Sequence, residues 1–189
     1  MPDPALLRPA VFLDRDGTIS EEVGYLNDAT QFRMFPFAAA AIRRLNDARL
    51  PVIVVTNQSG VGRGFFPESM VHTVHDLMTR QLTAAGAHLN AIYYCPHSSD
   101  DDCDCRKPKP GLLQRAAREH QVDLSRSFVV GDRYGDIALA HGVSSRGILV
   151  RTGYGDNDLR ENGAAWPEQP DFVADDLGAA VDWILRQTK

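Results

Sequence analysis

The chain has 189 residues, 43% of them hydrophobic, which suits one compact domain (1–189) with a buried core. Its formal net charge of −5 excludes a nucleic-acid backbone as the main partner, since that partner wants a basic face. No apolar run reaches the roughly 20 residues needed to span a bilayer, and residues 1–9 hold no signal core, so a cytoplasmic, non-membrane, monomeric protein is expected.

In chain order, 9–13 (PAVFL) reads as a buried strand and 37–48 (FAAAAIRRLNDA) as a helix. The β-branched run 52–55 (VIVV) is a strand, 67–85 a long helix with proline in its first turn, and 91–94 (AIYY) a strand. A proline-opened helix follows at 110–120, then a strand at 127–130 (SFVV) and a helix at 133–141 stopped by Gly142. Residues 147–150 (GILV) form another strand, 171–174 an edge strand and 176–186 a last helix. Strands that are apolar throughout and alternate with helices imply an α/β fold, a Rossmann-like doubly wound parallel sheet covered on both faces. Ligands of such folds bind beyond the carboxyl ends of the strands.

Four polar signatures stand at those ends. In AVFLDRDGT a buried strand delivers Asp14 and Asp16, and Gly17 permits the turn that aims both acids at one point. One carboxylate can attack phosphorus; a second can protonate the leaving alkoxide and then activate water. Two anions meeting a phosphate need a hard cation, which oxygen ligands and Mg²⁺ satisfy. In VIVVTNQSG, the Thr56 hydroxyl and the backbone N–H groups at Asn57 can cradle phosphate oxygens. In RKPKP (106–110) a lysine can neutralise charge on the transferred group. In FVVGDRYGD, Asp132 is a natural metal ligand, with Asp136 close behind. Taken singly, these are a solvated loop, a turn, a basic loop and a common strand end. All four in order, each after a strand, point to phosphoryl transfer.

The series DRDGT, TNQSG, RKP and GDRYGD resembles the four motifs of the haloacid-dehalogenase superfamily over about residues 10–155. The resemblance implies Asp14 as nucleophile, Asp16 as acid/base, and Thr56 and Lys107 on the phosphoryl group. It also implies Mg²⁺ held by the Asp14 side chain, the Asp16 backbone carbonyl and Asp132. Lys107 is preferred to Lys109 because it follows Arg106 in the RKP match. Asp136 is expected to support the loop rather than bind metal.

The loop Cys95-Pro-His97-Ser-Ser-Asp-Asp-Asp-Cys103-Asp-Cys105 offers three thiolates and an imidazole, the closed tetrahedral set of structural Zn²⁺. Three cysteines in one loop fit such a site in a reducing compartment better than disulfides. Cys105 immediately precedes Arg106 and Lys107, so a metal clamp there would fix the loop that must reach the phosphate. Asp100 to Asp102 read as solvated. His72 and His75 read as surface or capping residues, and His88, His120 and His141 belong to no constellation.

No segment is long enough for a large cap domain, so loops must set specificity. The cysteine loop is similar to those of two groups, the heptose-bisphosphate and the histidinol-phosphate phosphatases. Gly24-Tyr25, the run from Gln58 to Gly64, and LVRTG (149–153) resemble the first group more. That resemblance implies a sugar bisphosphate as substrate, lined by Glu22, Val23, Gly24, Tyr25, Thr56, Asn57, Gln58 and Ser59. Arg106 would recognise its distal part, with Arg63 and Arg151 as possible helpers, and the product would feed nucleotide-activated heptose synthesis. A histidinol-phosphate phosphatase, whose amine would want Glu21 or Glu22, is the alternative; a non-catalytic zinc-stapled binding module is the distant one. The segment 167–170 reads as a loop without assigned function.

Overall fold

The computed structural model describes residues 7–188. Residues 1–6, part of the stretch read as lacking a signal core, and residue 189 lie outside the described residues.

Six parallel strands form the sheet: β1 (Val11–Leu13), β2 (Val52–Asn57), β3 (Ala91–Cys95), β4 (Phe128–Gly131), β5 (Arg146–Val150) and β6 (Phe172–Ala174). Their order is β3-β2-β1-β4-β5-β6. The helices are α1 (Ala38–Asp47), α2 (Glu68–Ala84), α3 (Gly111–His120), α4 (Tyr134–Gly142), α5 (Gly155–Asn162) and α6 (Leu177–Gln187). Every element expected from periodicity is present, with ends moved by one or two residues. The stop at Gly142 differs slightly. Gly142 is the last helical residue, and the left-handed turn falls on Ser144 (φ 61°).

The period of two along each strand divides the core. Val11 and Leu13 face Ile42 and Leu45 of α1, Met78 and Leu82 of α2, and Val181 and Ile184 of α6. Ala10 and Phe12 face Leu112, Leu113 and Ala116 of α3 and Leu139 of α4. Chain direction across the sheet reverses between β1 and β4, the topological switch point where doubly wound folds bind ligands. The two strands are in register there, Leu13 beside Val130, and the Asp14 N–H continues the ladder to the Val130 carbonyl at 2.9 Å. Asp14 and Asp132 therefore emerge side by side.

Among the described residues no segment forms a separate cap. The link from β1 to α1 folds back on itself instead: the Glu21 N–H donates to the Arg33 carbonyl at 2.8 Å, and the Phe35 N–H to the Ile19 carbonyl at 3.0 Å. No helix among the described residues is long and apolar enough to cross a membrane.

Phe12 lies under the switch point, fully buried. Phe12→Ala is expected to lower unfolding stability by about 3–5 kcal/mol, read from urea denaturation at unchanged m-value.

Candidate active site

Beyond the ends of β1, β2 and β4 lies a cleft of about 570 Å³. Asp14, Asp16, Thr56, Lys107, Asp132 and Asp136 line its floor. Lys107 is 9% exposed, and its Nζ stands 2.9 Å from Asp14 Oδ2 and 2.6 Å from Asp136 Oδ1. Asp14, Asp132 and Asp136 each bring a carboxylate oxygen within 4.8 Å of the others. Burial is the main cause pushing Asp14 up to about 6 and Asp132 up to about 8, with repulsion between these acids adding to both. A divalent cation bound by oxygen ligands would reverse that effect, so the donor set fits the expected Mg²⁺.

Neighbours hold each acid in place. The Asp14 Oδ1 accepts the Arg15 N–H at 2.7 Å, and Asp132 Oδ2 the Tyr154 N–H at 2.8 Å. Asp136 sits in the first turn of α4 and caps it, accepting the Arg133 N–H at 3.2 Å. Its carboxylate thus ties Lys107 to the α4 terminus while keeping an oxygen within 4.8 Å of the Asp14 and Asp132 oxygens. The run LVRTG takes on a role here. Thr152 Oγ1 donates to the Gly17 carbonyl at 2.6 Å. Gly17 (φ +77°) and Gly153 (φ +59°) lie back to back, and a Cβ on Gly153 would meet Asp132 Oδ2 at 2.2 Å and the Gly17 Cα at 2.5 Å.

Asn57 and Gln58, expected against substrate, line the cleft but spend their amides on the protein. Asn57 grips the Lys107 backbone twice, accepting its N–H at 3.1 Å and donating to its carbonyl at 3.3 Å. Gln58 Nε2 lies 2.9 Å from both Asp16 Oδ2 and Thr56 Oγ1. Glu22, Gly24, Tyr25, Ser59 and Arg106 also line the cleft. Val23 does not; it is 42% exposed between two lining neighbours. Arg63 and Arg151 are outside the lining as well. Arg63 reaches Ser99 in the cysteine loop, and Arg151 pairs with Asp156 and Asp175.

Several lining residues belong to no sequence signature read for substrate contact. Phe66 comes from the turn before α2, Arg133 and Tyr134 from the start of α4, and Tyr154 and Asp158 from the start of α5. The Arg133 guanidinium stacks 3.5 Å over the Tyr154 ring. A helix of sequence GDNDLREN has one buried residue and no apolar stripe, so α5 and what it carries went unread.

Cys95, His97, Cys103 and Cys105 converge. Cys95 Sγ lies 3.7 Å from Cys103 Sγ and 3.2 Å from Cys105 Sγ, while His97 Nδ1 is 3.6 Å from Cys95 Sγ and 3.1 Å from Cys105 Sγ. A tetrahedral ion with Zn–S near 2.3 Å spaces its sulfurs about 3.8 Å apart, so the set fits zinc with no position left open. The Cys95 carbonyl also accepts the Gln58 N–H at 2.8 Å, tying this cluster to the Thr56 loop. The acids of the loop are exposed, as expected, and two of them also make local contacts: Asp101 accepts the Ser98 N–H at 2.7 Å, and Asp102 pairs with Lys109 at 2.9 Å. His75 is not a surface residue but 6% exposed, because it falls on the core face of α2. His141 has a constellation after all. Its ring lies between Asp171 (2.9 Å) and Glu168 (3.3 Å), which fastens the 167–170 loop to α4.

Comparison with known proteins agrees with this geometry. The HAD-hydrolase-like family matches residues 104–180. The chain is 44% identical to a D-glycero-D-manno-heptose-1,7-bisphosphate 7-phosphatase of Thermosynechococcus vestitus, over 94% of this chain and 95% of that one. It is 39% identical to the D-glycero-beta-D-manno-heptose-1,7-bisphosphate 7-phosphatase of Escherichia coli, over 84% and 87%. The D,D-heptose 1,7-bisphosphate phosphatase of B. bronchiseptica, crystallised with magnesium and phosphate, superposes with a TM-score of 0.87 at 36% identity, covering 95% of this chain and 99% of that one.

Two outcomes are expected. Stripping a bound zinc, or Cys105→Ser, lowers the melting temperature and reduces kcat by about 10–100-fold through a displaced Lys107; full turnover in Cys105→Ser contradicts this. Gly153→Ala, strained at positive φ and pressing on Asp132, loses about 1–3 kcal/mol of stability and needs more Mg²⁺ for half-maximal activity in a metal titration.

Proposed function

Since the chain belongs to the haloacid-dehalogenase-like family of D-glycero-D-manno-heptose-1,7-bisphosphate 7-phosphatases, we propose that it removes the 7-phosphate of D-glycero-D-manno-heptose 1,7-bisphosphate through an aspartyl-phosphate on Asp14. It is a phosphoric monoester hydrolase. The observation that carries the substrate reading is one cleft lined both by the carboxylates and by Glu22, Gly24, Tyr25, Ser59 and Arg106.

Asp14 attacks phosphorus with one carboxylate oxygen, and the bond from phosphorus to the sugar oxygen breaks. Asp16 gives that oxygen a proton, then takes one from the water that attacks the aspartyl-phosphate, which returns Asp14 and releases phosphate. Lys107 and Thr56 stand at the floor where the phosphoryl oxygens must lie, and Lys107 offsets the charge that gathers there. The Asp14 and Asp132 side chains and the Asp16 carbonyl would hold Mg²⁺, which supplies further positive charge for the transferred group. Arg106 presents a planar fork suited to the distal phosphate.

The rest of the reading follows from this one. The chain acts as a single domain, and Cys95, His97, Cys103 and Cys105 hold a structural Zn²⁺. Free thiols in that cluster suit a reducing, cytoplasmic setting. The large apolar side chains most exposed among the described residues, Val23, Tyr25, Phe65 and Tyr154, sit at or beside the cleft, which favours a monomer. The product serves nucleotide-activated heptose synthesis for surface polysaccharide.

Phosphate release with Mg²⁺ from heptose 1,7-bisphosphate, fructose 1,6-bisphosphate and histidinol phosphate tests the assignment, with Asp14→Asn as blank. The heptose is expected to be preferred by at least about tenfold in kcat/KM, and the blank to lose essentially all turnover. Preference for histidinol phosphate keeps the chemistry and overturns the substrate.

A further inference from the structure

Arg15 stands between the nucleophile and the acid/base, lines neither the floor of the cleft nor its mouth, and is 1% exposed. A charged group in that position needs every donor placed. Its Nε lies 2.9 Å from Asp16 Oδ1 and its Nη2 2.7 Å from Asp16 Oδ2, a two-point grip on the carboxylate. The Nη2 also donates to Gln58 Oε1 at 2.9 Å, and Gln58 Nε2 returns to Asp16 Oδ2 at 2.9 Å. On the far side, Nη1 lies 3.2 Å from His75 Nε2. Burial, and the cation itself, hold His75 down at about 3, so its ring is neutral and Nε2 must be the acceptor. Tyr94 packs edge-on against the His75 ring from β3, with 5.6 Å between ring centroids.

A carboxylate at the end of a short side chain ordinarily turns about its last bond. Asp16 has both oxygens engaged by one rigid fork whose other arm is anchored in α2. We propose that Arg15 is a positioning residue for Asp16, and that His75, through Arg15, is a second one. Arg15 fixes the plane of the carboxylate that exchanges a proton with the leaving sugar oxygen. His75 supplies the acceptor that keeps the fork in that plane. This rests on Asp16 serving as acid/base in the proposed phosphatase reaction.

The chemistry of the leaving group supplies the test. A sugar alkoxide needs a proton as it departs; a p-nitrophenolate does not, so misplacing the acid harms the first far more than the second. Arg15→Lys, His75→Leu and His75→Gln are compared with wild type on heptose 1,7-bisphosphate and on p-nitrophenyl phosphate. Arg15→Lys keeps the charge but loses the fork. It is expected to lose about 100-fold in kcat/KM on the sugar phosphate and less than about fivefold in kcat/KM on the aryl phosphate, because kcat/KM stops at departure of the leaving group and leaves out the later water attack that both substrates share. His75→Leu follows the same pattern at about tenfold, and His75→Gln, which keeps an acceptor, stays near wild type. Equal losses of kcat/KM on both substrates overturn the proposal. If Arg15→Lys does not fold, the two His75 variants decide it alone. A wild type that cleaves other alkyl phosphates but not the heptose removes the substrate assignment only, and the comparison then runs on the best alkyl phosphate. A wild type that cleaves no phosphate ester removes the role of Asp16 and this proposal with it.

Discussion

Everything at the active end depends on one unbalanced cluster of charge. Asp14, Asp132 and Asp136 gather within 4.8 Å, and Lys107 is the one ammonium that bridges two of them. Three carboxylates against one ammonium leave a formal charge of −2 at the switch point of the sheet. Water would screen such a cluster, but the floor of this cleft is mostly buried. The protein tolerates the imbalance by giving each acid a backbone donor, from Arg15, Arg133 and Tyr154. The remaining deficit is what would draw a divalent cation, and with it the anionic phosphate of the proposed substrate, to the end of β1.

Such a cluster repels itself apart unless the segments carrying it are braced, and the bracing explains residues that look decorative. Asn57 closes two hydrogen bonds on the Lys107 backbone, so the second and third signatures move together. The cysteine cluster stands just behind, where the Cys95 carbonyl holds the Gln58 backbone and Cys105 leads into Arg106. From the other side, Thr152 binds the Gly17 carbonyl and the Tyr154 N–H holds Asp132. Among the described residues no cap presses down on the site, so rigidity comes from below and from the sides.

The sequence disclosed this plan where chemistry and local pattern coincide. β-branched runs such as VIVV gave β2, and the acid at each strand end marked the active edge. The cysteine spacing marked the thiol–imidazole cluster, because ligand type and number are written in the residues. What stayed hidden depends on contacts far apart in sequence. An arginine between two acids reads as a solvated loop, and nothing local says that Arg15 turns inward to meet Gln58 and His75. His75 shares a helix with His72, and which of the two faces the core is decided by the sheet beneath α2. The amides of Asn57 and Gln58 look made for a ligand until their protein partners are seen. The polar helix α5 has no periodic apolar face, so its Tyr154 and Asp158 could not be placed beside the cleft.

Two buried cations of different kinds stand beside Asp14, and the proposed chemistry gives each a reason. Lys107 serves Asp14 and Asp136 in the resting state, and in the proposed reaction it must still turn toward a phosphoryl oxygen when one arrives. A compact ammonium on a flexible stem has no fixed direction and suits that exchange of partners. Arg15 faces the opposite demand, one carboxylate held at one angle, which a planar fork with two parallel donors satisfies. Exchanging the two residue types would fail in both directions: a fork at 107 would lock the nucleophile, and an ammonium at 15 would let the acid/base swing. The order of charges in Asp14-Arg15-Asp16 thus separates a group that must be free to react from a group that must be held still.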